Sequence, residues 1–173
     1  KILKISREKI LISSDQKLKN SYILSFNKLL KRRLHSEPMA YILKRKEFFS
    51  KNFYVNKNTL IPRPDTELLV EKILKIYKKK NPYILDIGTG SGCIILSLLQ
   101  NIENSRGIGI DISKKALDLA KKNAEKMKLN KKCKFIHKSI EKICGYKFDL
   151  IVSNPPYIPS HQIKNLSKDI KQY

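Results

Sequence analysis

Tyr83-Ile84-Leu85-Asp86-Ile87-Gly88-Thr89-Gly90-Ser91-Gly92 is the stretch on which the fold turns. Five largely apolar residues run into a glycine-rich turn, and Ile94, Ile95, Leu98, Leu99 and Ile102 then recur at helical spacing. A near-continuous apolar strand suits burial on both faces, as in a parallel sheet. The glycines let the backbone turn tightly and approach a ligand at the carboxyl edge of that sheet. Asp111 closes the next apolar run, 19 residues after Gly92. A carboxylate there is suited to grip the two hydroxyls of a ribose. Taken alone, a turn that merely joins two elements stays open.

Working outward, Ser113 is placed to cap a helix with Ala116, Leu117, Ala120, Ala124 and Met127 on its core face. Residues 133–137 and 148–153 supply two more strands. Alternating strand and helix predicts an α/β fold with a doubly wound, Rossmann-like parallel sheet. Upstream the pattern differs. Ile23, Phe26, Leu30 and Leu34 form a helical stripe, and Pro38 stops that helix shortly after its basic end. Short β-rich runs within residues 47–61, separated by polar triplets, read as a hairpin. Asp65 or Thr66 can then cap a helix carrying Leu69, Ile73 and Ile76. The expected organisation is a helical module over residues 1–45, a β-hairpin linker over 46–62, and the α/β domain over 63–173.

The 173 residues carry 37 Lys+Arg against 15 Asp+Glu, a formal charge of +22. Because 31 of the basic residues are Lys and Ile occurs 24 times, an A/T-biased coding sequence accounts for much of this. A basic surface attracting an anionic partner is the functional alternative. With 41% apolar residues the chain has material for a core, so general disorder is excluded. No apolar run approaches the roughly 18 residues of a membrane span. No secretory leader opens the chain, and Cys93, Cys133 and Cys144 are scattered singly. Those features predict a cytoplasmic protein without membrane association, disulfides or a zinc finger.

Asn154-Pro155-Pro156-Tyr157 follows the last strand, on the same edge as the glycine turn. The prolines stiffen the loop and leave carbonyl oxygens free for a ligand. The Asn154 side-chain oxygen and the Pro155 carbonyl can accept two hydrogen bonds from a planar NH2 group, on which Tyr157 can stack. An amide or exocyclic amine is a poor nucleophile because its lone pair is delocalised. Holding both hydrogens orients the nitrogen, so the rate comes from positioning and fixed dipoles. The corner fits N-methylation of a planar nitrogen without choosing the substrate.

A dinucleotide site asks for G-x-G-x-x-G. Here G-x-G-x-G is preceded by an acid two residues earlier, which resembles the first motif of S-adenosylmethionine (SAM) methyltransferases. Leu60-Ile61-Pro62-Arg63-Pro64-Asp65-Thr66-Glu67-Leu68-Leu69-Val70-Glu71, with the two motifs above, closely resembles the bacterial release factor glutamine methyltransferases (the HemK/PrmC family). The resemblance runs from Lys31 through Arg32-Arg33, Pro38, Tyr41-Ile42, Glu47-Phe48 and the strand ending in Asn154. It implies a class I SAM-dependent methyltransferase domain that methylates the glutamine side-chain nitrogen in the Gly-Gly-Gln loop of peptide chain release factors. Gly88, Thr89, Gly90, Ser91 and Gly92 would then cradle the amino-acid part of SAM, and Asp111 its ribose. Ser139 falls at the adenine-contacting position. Asn154 would face both SAM and the glutamine, and Asn154, Pro155, Pro156 and Tyr157 would clasp the amide. The amino-terminal helices would help recognise the release factor. A monomer needing neither metal nor nucleic acid is implied. The competing readings are an exocyclic-amine methyltransferase of nucleic acid, another protein glutamine such as that of a ribosomal protein, and a binding module without catalysis.

The chain departs from that family at Lys44, where glycine is usual, and across residues 137–141, which lack the acid-then-bulky pattern. For residues 62–67 a place beside the active pocket and a turn before the helix both stay open. Family members continue with further strands, so the chain is expected to be a fragment with an incomplete sheet and low stability alone. His35, His137 and His161 have no partner at metal-ligand spacing. Cys93 is assigned to packing, Asp149 to a local turn or cap, and Tyr41 to packing between modules.

Overall fold

The apolar runs become a parallel sheet in the computed structural model, which describes residues 2–3, 5–12, 17–77 and 81–155. In chain order the elements are α1 (Arg7–Ile12), α2 (Asn20–Leu34), α3 (Met39–Leu43), β1 (Lys46–Phe48), β2 (Lys51–Phe53) and α4 (Pro64–Ile76). They continue with β3 (Tyr83–Ile87), α5 (Cys93–Asn101), β4 (Arg106–Asp111), α6 (Lys114–Lys126), β5 (Cys133–His137) and β6 (Leu150–Ser153). Two compact units result, one containing the chain up to Leu43 and a second beginning at Lys44.

In the second unit the strand order is β5-β4-β3-β6, all parallel. Ile87 lies level with Ile110 of β4 and Ser153 of β6, so three strands end together. The chain moves outward from β3 through β4 to β5 and returns to the other side of β3 with β6. That reversal leaves a crevice beyond the carboxyl ends of β3 and β6, where open α/β sheets bind ligands. One core cluster joins Ile84 to Ile95, Leu98 and Leu99 of α5, Val70 and Ile73 of α4 and Ala124 of α6. Leu85, Ile108 and Ile110 are buried in a second cluster with Ile136, Ile143 and Phe148 beside them. Alternate residues of β3 thus serve two cores, as a buried strand requires.

The hairpin is tighter than its sequence suggests. β1 and β2 pair antiparallel, and Phe49 and Ser50 make the turn at φ 49° and 57°. Two successive positive φ angles match the twist of paired strands. Phe48 and Phe53 are fully buried, edge to face at 6.0 Å, and belong to the α4–α5 core. Downstream, Asn123 of α6 is 1% exposed. Its Nδ2 donates to the carbonyls of Tyr54 (3.0 Å) and Ser91 (2.9 Å), and its Oδ1 accepts from the Tyr54 N–H (2.7 Å). One side-chain amide therefore ties the exit of the hairpin to the glycine turn.

Helix α4 corrects one expectation. Arg63 is its N-cap and Pro64 its first residue, with Asp65 and Thr66 inside the first turn. Proline lacks the N–H that this position would leave unpaired and arrives with a helical φ, so it fixes the start. In the first unit, α2 begins at Asn20 and buries none of its residues. Tyr22, Ile23, Phe26 and Leu30 line an apolar groove of about 440 Å³ with Met39, Ile42 and Leu43. Arg32 closes the end of α2 on Glu37 with two side-chain hydrogen bonds, which hold the Glu37 carboxyl below its ordinary range.

Lys44 adopts φ 56°, the left-handed conformation in which glycine is at ease and a side chain is not. A lysine in place of glycine at this position is therefore held in a strained backbone conformation. Lys44→Gly is expected to stabilise the protein by about 0.5–1 kcal/mol in urea unfolding. Asn123→Leu should destabilise it by roughly 2–4 kcal/mol, because three backbone groups lose their partner. A loss of under about 0.5 kcal/mol would show that water replaces the amide.

Candidate active site

The glycine turn is built by its neighbour strand. Gly88 and Thr89 both donate their N–H to the Ile110 carbonyl at 2.9 Å, lashing the turn to the end of β4. Gly88, Gly90 and Gly92 all have positive φ. At Gly92, the N-cap of α5 with φ 79°, an added Cβ would lie 3.1 Å from Leu96 Cδ1 and 3.3 Å from Ala120 Cβ. The backbone angle disfavours a side chain there, and a Cβ would press on Leu96 and Ala120. Gly88 is different: a Cβ would meet nothing within 4 Å, so its face opens onto the crevice.

Asp111 accepts from the Gly90 N–H at 2.9 Å through Oδ2 and from the Ser113 N–H at 2.8 Å through Oδ1. These two bonds fix the carboxylate plane while each oxygen keeps a further lone pair for a ligand hydroxyl. Ser113 also caps α6, its Oγ accepting from the Ala116 N–H, as its sequence position predicts. Asp111 lines a crevice of about 490 Å³ together with Gly88, Gly90, Ser139, Ile140 and Asn154. Leu60 and Ile112 complete it, both exposed apolar side chains. Ser139 thus borders the same crevice as Asp111 and Asn154. Thr89 and Ser91 are buried with the turn and adjoin a smaller cleft beside it.

Asn154 follows β6 directly, and its neighbour Ser153 donates Oγ–H to the Ile87 carbonyl at 3.0 Å. Its side-chain Nδ2 donates to Thr66 Oγ1 at 3.0 Å. Asn154 borders the main crevice and also the smaller cleft that Pro62, Arg63 and Thr66 share with the glycine turn. Of residues 62–67, Pro62, Arg63 and Thr66 border this cleft, while Pro64 to Glu67 form the first turn of α4. Pro155 is described, whereas Pro156, Tyr157 and His161 lie outside the described residues.

Beneath the turn Asp86 is fully buried. Thr89 Oγ1 donates to its Oδ2 at 2.7 Å, and Oδ1 has no partner. Burial raises its carboxyl to about 7 against the Thr89 hydrogen bond, and the Asp111 charge adds to the rise. Sequence reading noted this acid only as part of the motif; its burial on a central strand was the available signal. Burial likewise pushes the Cys93 thiol up to about 12, which fits packing and not nucleophilic chemistry. Asp149 accepts the Tyr83 N–H at 2.8 Å and closes the far end of β3. His137 Nε2 lies 2.8 Å from the Ile112 carbonyl, a structural contact. Among the described residues no group of three His, Cys, Asp or Glu is placed to hold a metal ion. No described helix is long and apolar enough to cross a membrane.

A glycine turn, a strand-end acid one strand away and an asparagine one strand the other way define a nucleotide-type binding crevice in a doubly wound α/β domain. The chain belongs to the methyltransferase domain family, whose profile matches residues 78–173. A second profile, the PrmC N-terminal domain, matches residues 1–43. The release factor glutamine methyltransferase of Flavobacterium psychrophilum is 44% identical over 175 residues, covering 98% of this chain and 61% of that protein. The enzyme of the same name from Buchnera aphidicola subsp. Baizongia pistaciae is 43% identical, with the same coverages. A bifunctional methyltransferase of Rickettsia typhi is 42% identical over 91% of this chain and 34% of its own length. The chain thus spans about 61% of the length of the first two relatives. Among solved structures, a candidate RNA methyltransferase of Pyrococcus horikoshii superposes with a TM-score of 0.50 at 19% identity, over 58% of this chain and 48% of that one. At that identity the likeness is one of fold.

Asp86 gives this site a pH signature. Its folded value of about 7 exceeds the ordinary 3.8, so between those values the folded protein holds a proton that the unfolded chain has lost. Its contribution to stability therefore falls as pH rises through that window and is fully unfavourable above it. Asp86→Asn should gain on the wild type in urea midpoint between about pH 5 and about pH 8. A pH-independent difference would place the Asp86 proton elsewhere.

Proposed function

We propose that this chain transfers the methyl group of SAM to the side-chain amide nitrogen of the glutamine in the Gly-Gly-Gln loop of peptide chain release factors. The observation that carries the reading is the union of the glycine crevice with Asn154 at one sheet edge, in a chain whose relatives bear that activity in their names. The crevice suits SAM in its chemistry: an open glycine face, a carboxylate held for hydroxyls, and apolar Leu60, Ile112 and Ile140 for an aromatic base. Gly88 to Gly92 would hold the amino-acid part, Asp111 the ribose, and Ser139 with its neighbours the adenine. When bound, SAM supplies an electrophilic methyl on its sulfonium.

The remaining work belongs to the protein. Asn154 Oδ1 and the Pro155 carbonyl accept the two N–H groups of the glutamine amide, and Pro156 and Tyr157 complete the clasp by their sequence positions. This fixes the nitrogen along the line of attack and favours its loss of planarity as the N–C bond forms; the S–C bond would break with it to leave a neutral thioether, and the methylated nitrogen would shed one of its two protons to solvent. Positioning and fixed dipoles lower the barrier without a strong base. The amino-terminal module, similar to the PrmC N-terminal domain, recognises the release factor. The protein acts as a cytoplasmic monomer, needing no metal, membrane or nucleic acid.

The test is radiolabelled methyl transfer from SAM by the full-length gene product and its Asn154→Ala variant, offered release factor and total nucleic acid separately. Label mapped to the Gly-Gly-Gln glutamine, falling at least about 100-fold in the variant, is expected. Label on nucleic acid alone would overturn the glutamine assignment; the charge of +22 makes that arm necessary.

A further inference from the structure

Residues 62–67 carry the sequence motif to which the mechanism above gives no task. We propose that Thr66 is a positioning residue for Asn154: its hydroxyl holds the nitrogen end of the asparagine amide, so that the oxygen end is presented to the acceptor. The inference rests on the methyl-transfer reading and deepens it.

The side-chain torsion that turns an asparagine amide is broad, so an unanchored amide samples many orientations. An acceptor NH2 needs a hydrogen-bond acceptor facing it, and of the two ends of the Asn154 amide only Oδ1 can serve beside the Pro155 carbonyl. Thr66 Oγ1 accepts from Asn154 Nδ2 at 3.0 Å, across 88 residues of sequence. That engages the end that would repel the acceptor's hydrogens and narrows the plane of the amide.

Thr66 is itself well fixed. It is the third residue of α4, 8% exposed, and its N–H donates to the Arg63 carbonyl at 3.0 Å. Pro64 sets the start of the helix, and Val70 and Ile73 bury its next turns. Thr66 and Asn154 adjoin the same cleft as Gly88 and Gly90. The helix-start motif thus acts as a rigid post for a residue just past the end of β6.

Thr66→Val keeps the shape and removes the hydroxyl; Thr66→Ser keeps the hydroxyl. With the full-length gene product, kcat for methyl transfer to the release factor should fall about 10- to 100-fold in Thr66→Val and be largely restored in Thr66→Ser. The dissociation constant for SAM, by calorimetry, and the melting temperature should stay near those of the wild type in both. An unchanged kcat in Thr66→Val overturns the proposal. So does a loss shared by SAM affinity and melting temperature that Thr66→Ser fails to restore, since that marks a packing role. If the wild type labels nucleic acid and not glutamine, the substrate assignment fails, while the same comparison on that acceptor still decides the role of Thr66.

Discussion

One buried amide sets the frame within which the site is possible. Asn123 faces Tyr54, where the hairpin ends, and Ser91, where the glycine turn prepares to enter α5. None of these backbone groups lies in a regular ladder, and buried polar groups must be paired. Helix α6 therefore acts as the common support of linker and turn. Lys126 on the same helix reinforces the arrangement, its ammonium lying over the Tyr54 ring and donating to the Asn52 carbonyl.

Two carboxylates of like sequence position, each near the end of a parallel strand, receive opposite treatment. Asp111 is half-buried and bound by two backbone N–H groups, which fix the plane of its carboxylate at the mouth of the crevice. Asp86 is enclosed in the core, where burial outweighs its hydrogen bonds and favours the proton. The difference follows from pleat direction: Asp86 points toward the α5 side, whereas Asp111 stands at the strand's mouth. One acid maintains the turn from below and the other prepares its rim.

Much of this was legible in sequence because it is local. Strand β3, the glycine turn, Asp111 and the Ser113 cap lie within about thirty residues and follow periodicity and turn chemistry. The start of α4 is less legible, because proline's preference for the first helical position competes with the side-chain caps that Asp65 and Thr66 offer. The hairpin was drawn too long because exposed polar triplets mark turns without fixing their register. Long-range pairings gave no sequence signal. Asn154 meets Thr66 across 88 residues and Tyr54 meets Asn123 across 69, and only the packed fold brings either pair together.

Strand order also has a temporal meaning. During synthesis β3, β4 and β5, with their two connecting helices, emerge before β6 and can pair among themselves. The half of the crevice holding the glycine turn and Asp111 can therefore fold first, with one side of β3 still unpaired. Insertion of β6 closes a loop of more than sixty residues, a slow, non-local event by comparison. Until then that open edge is a template for other chains. Asn154 arrives with the strand that covers this side of β3, so placement of the asparagine corner and pairing of the central strand are one step on the folding route.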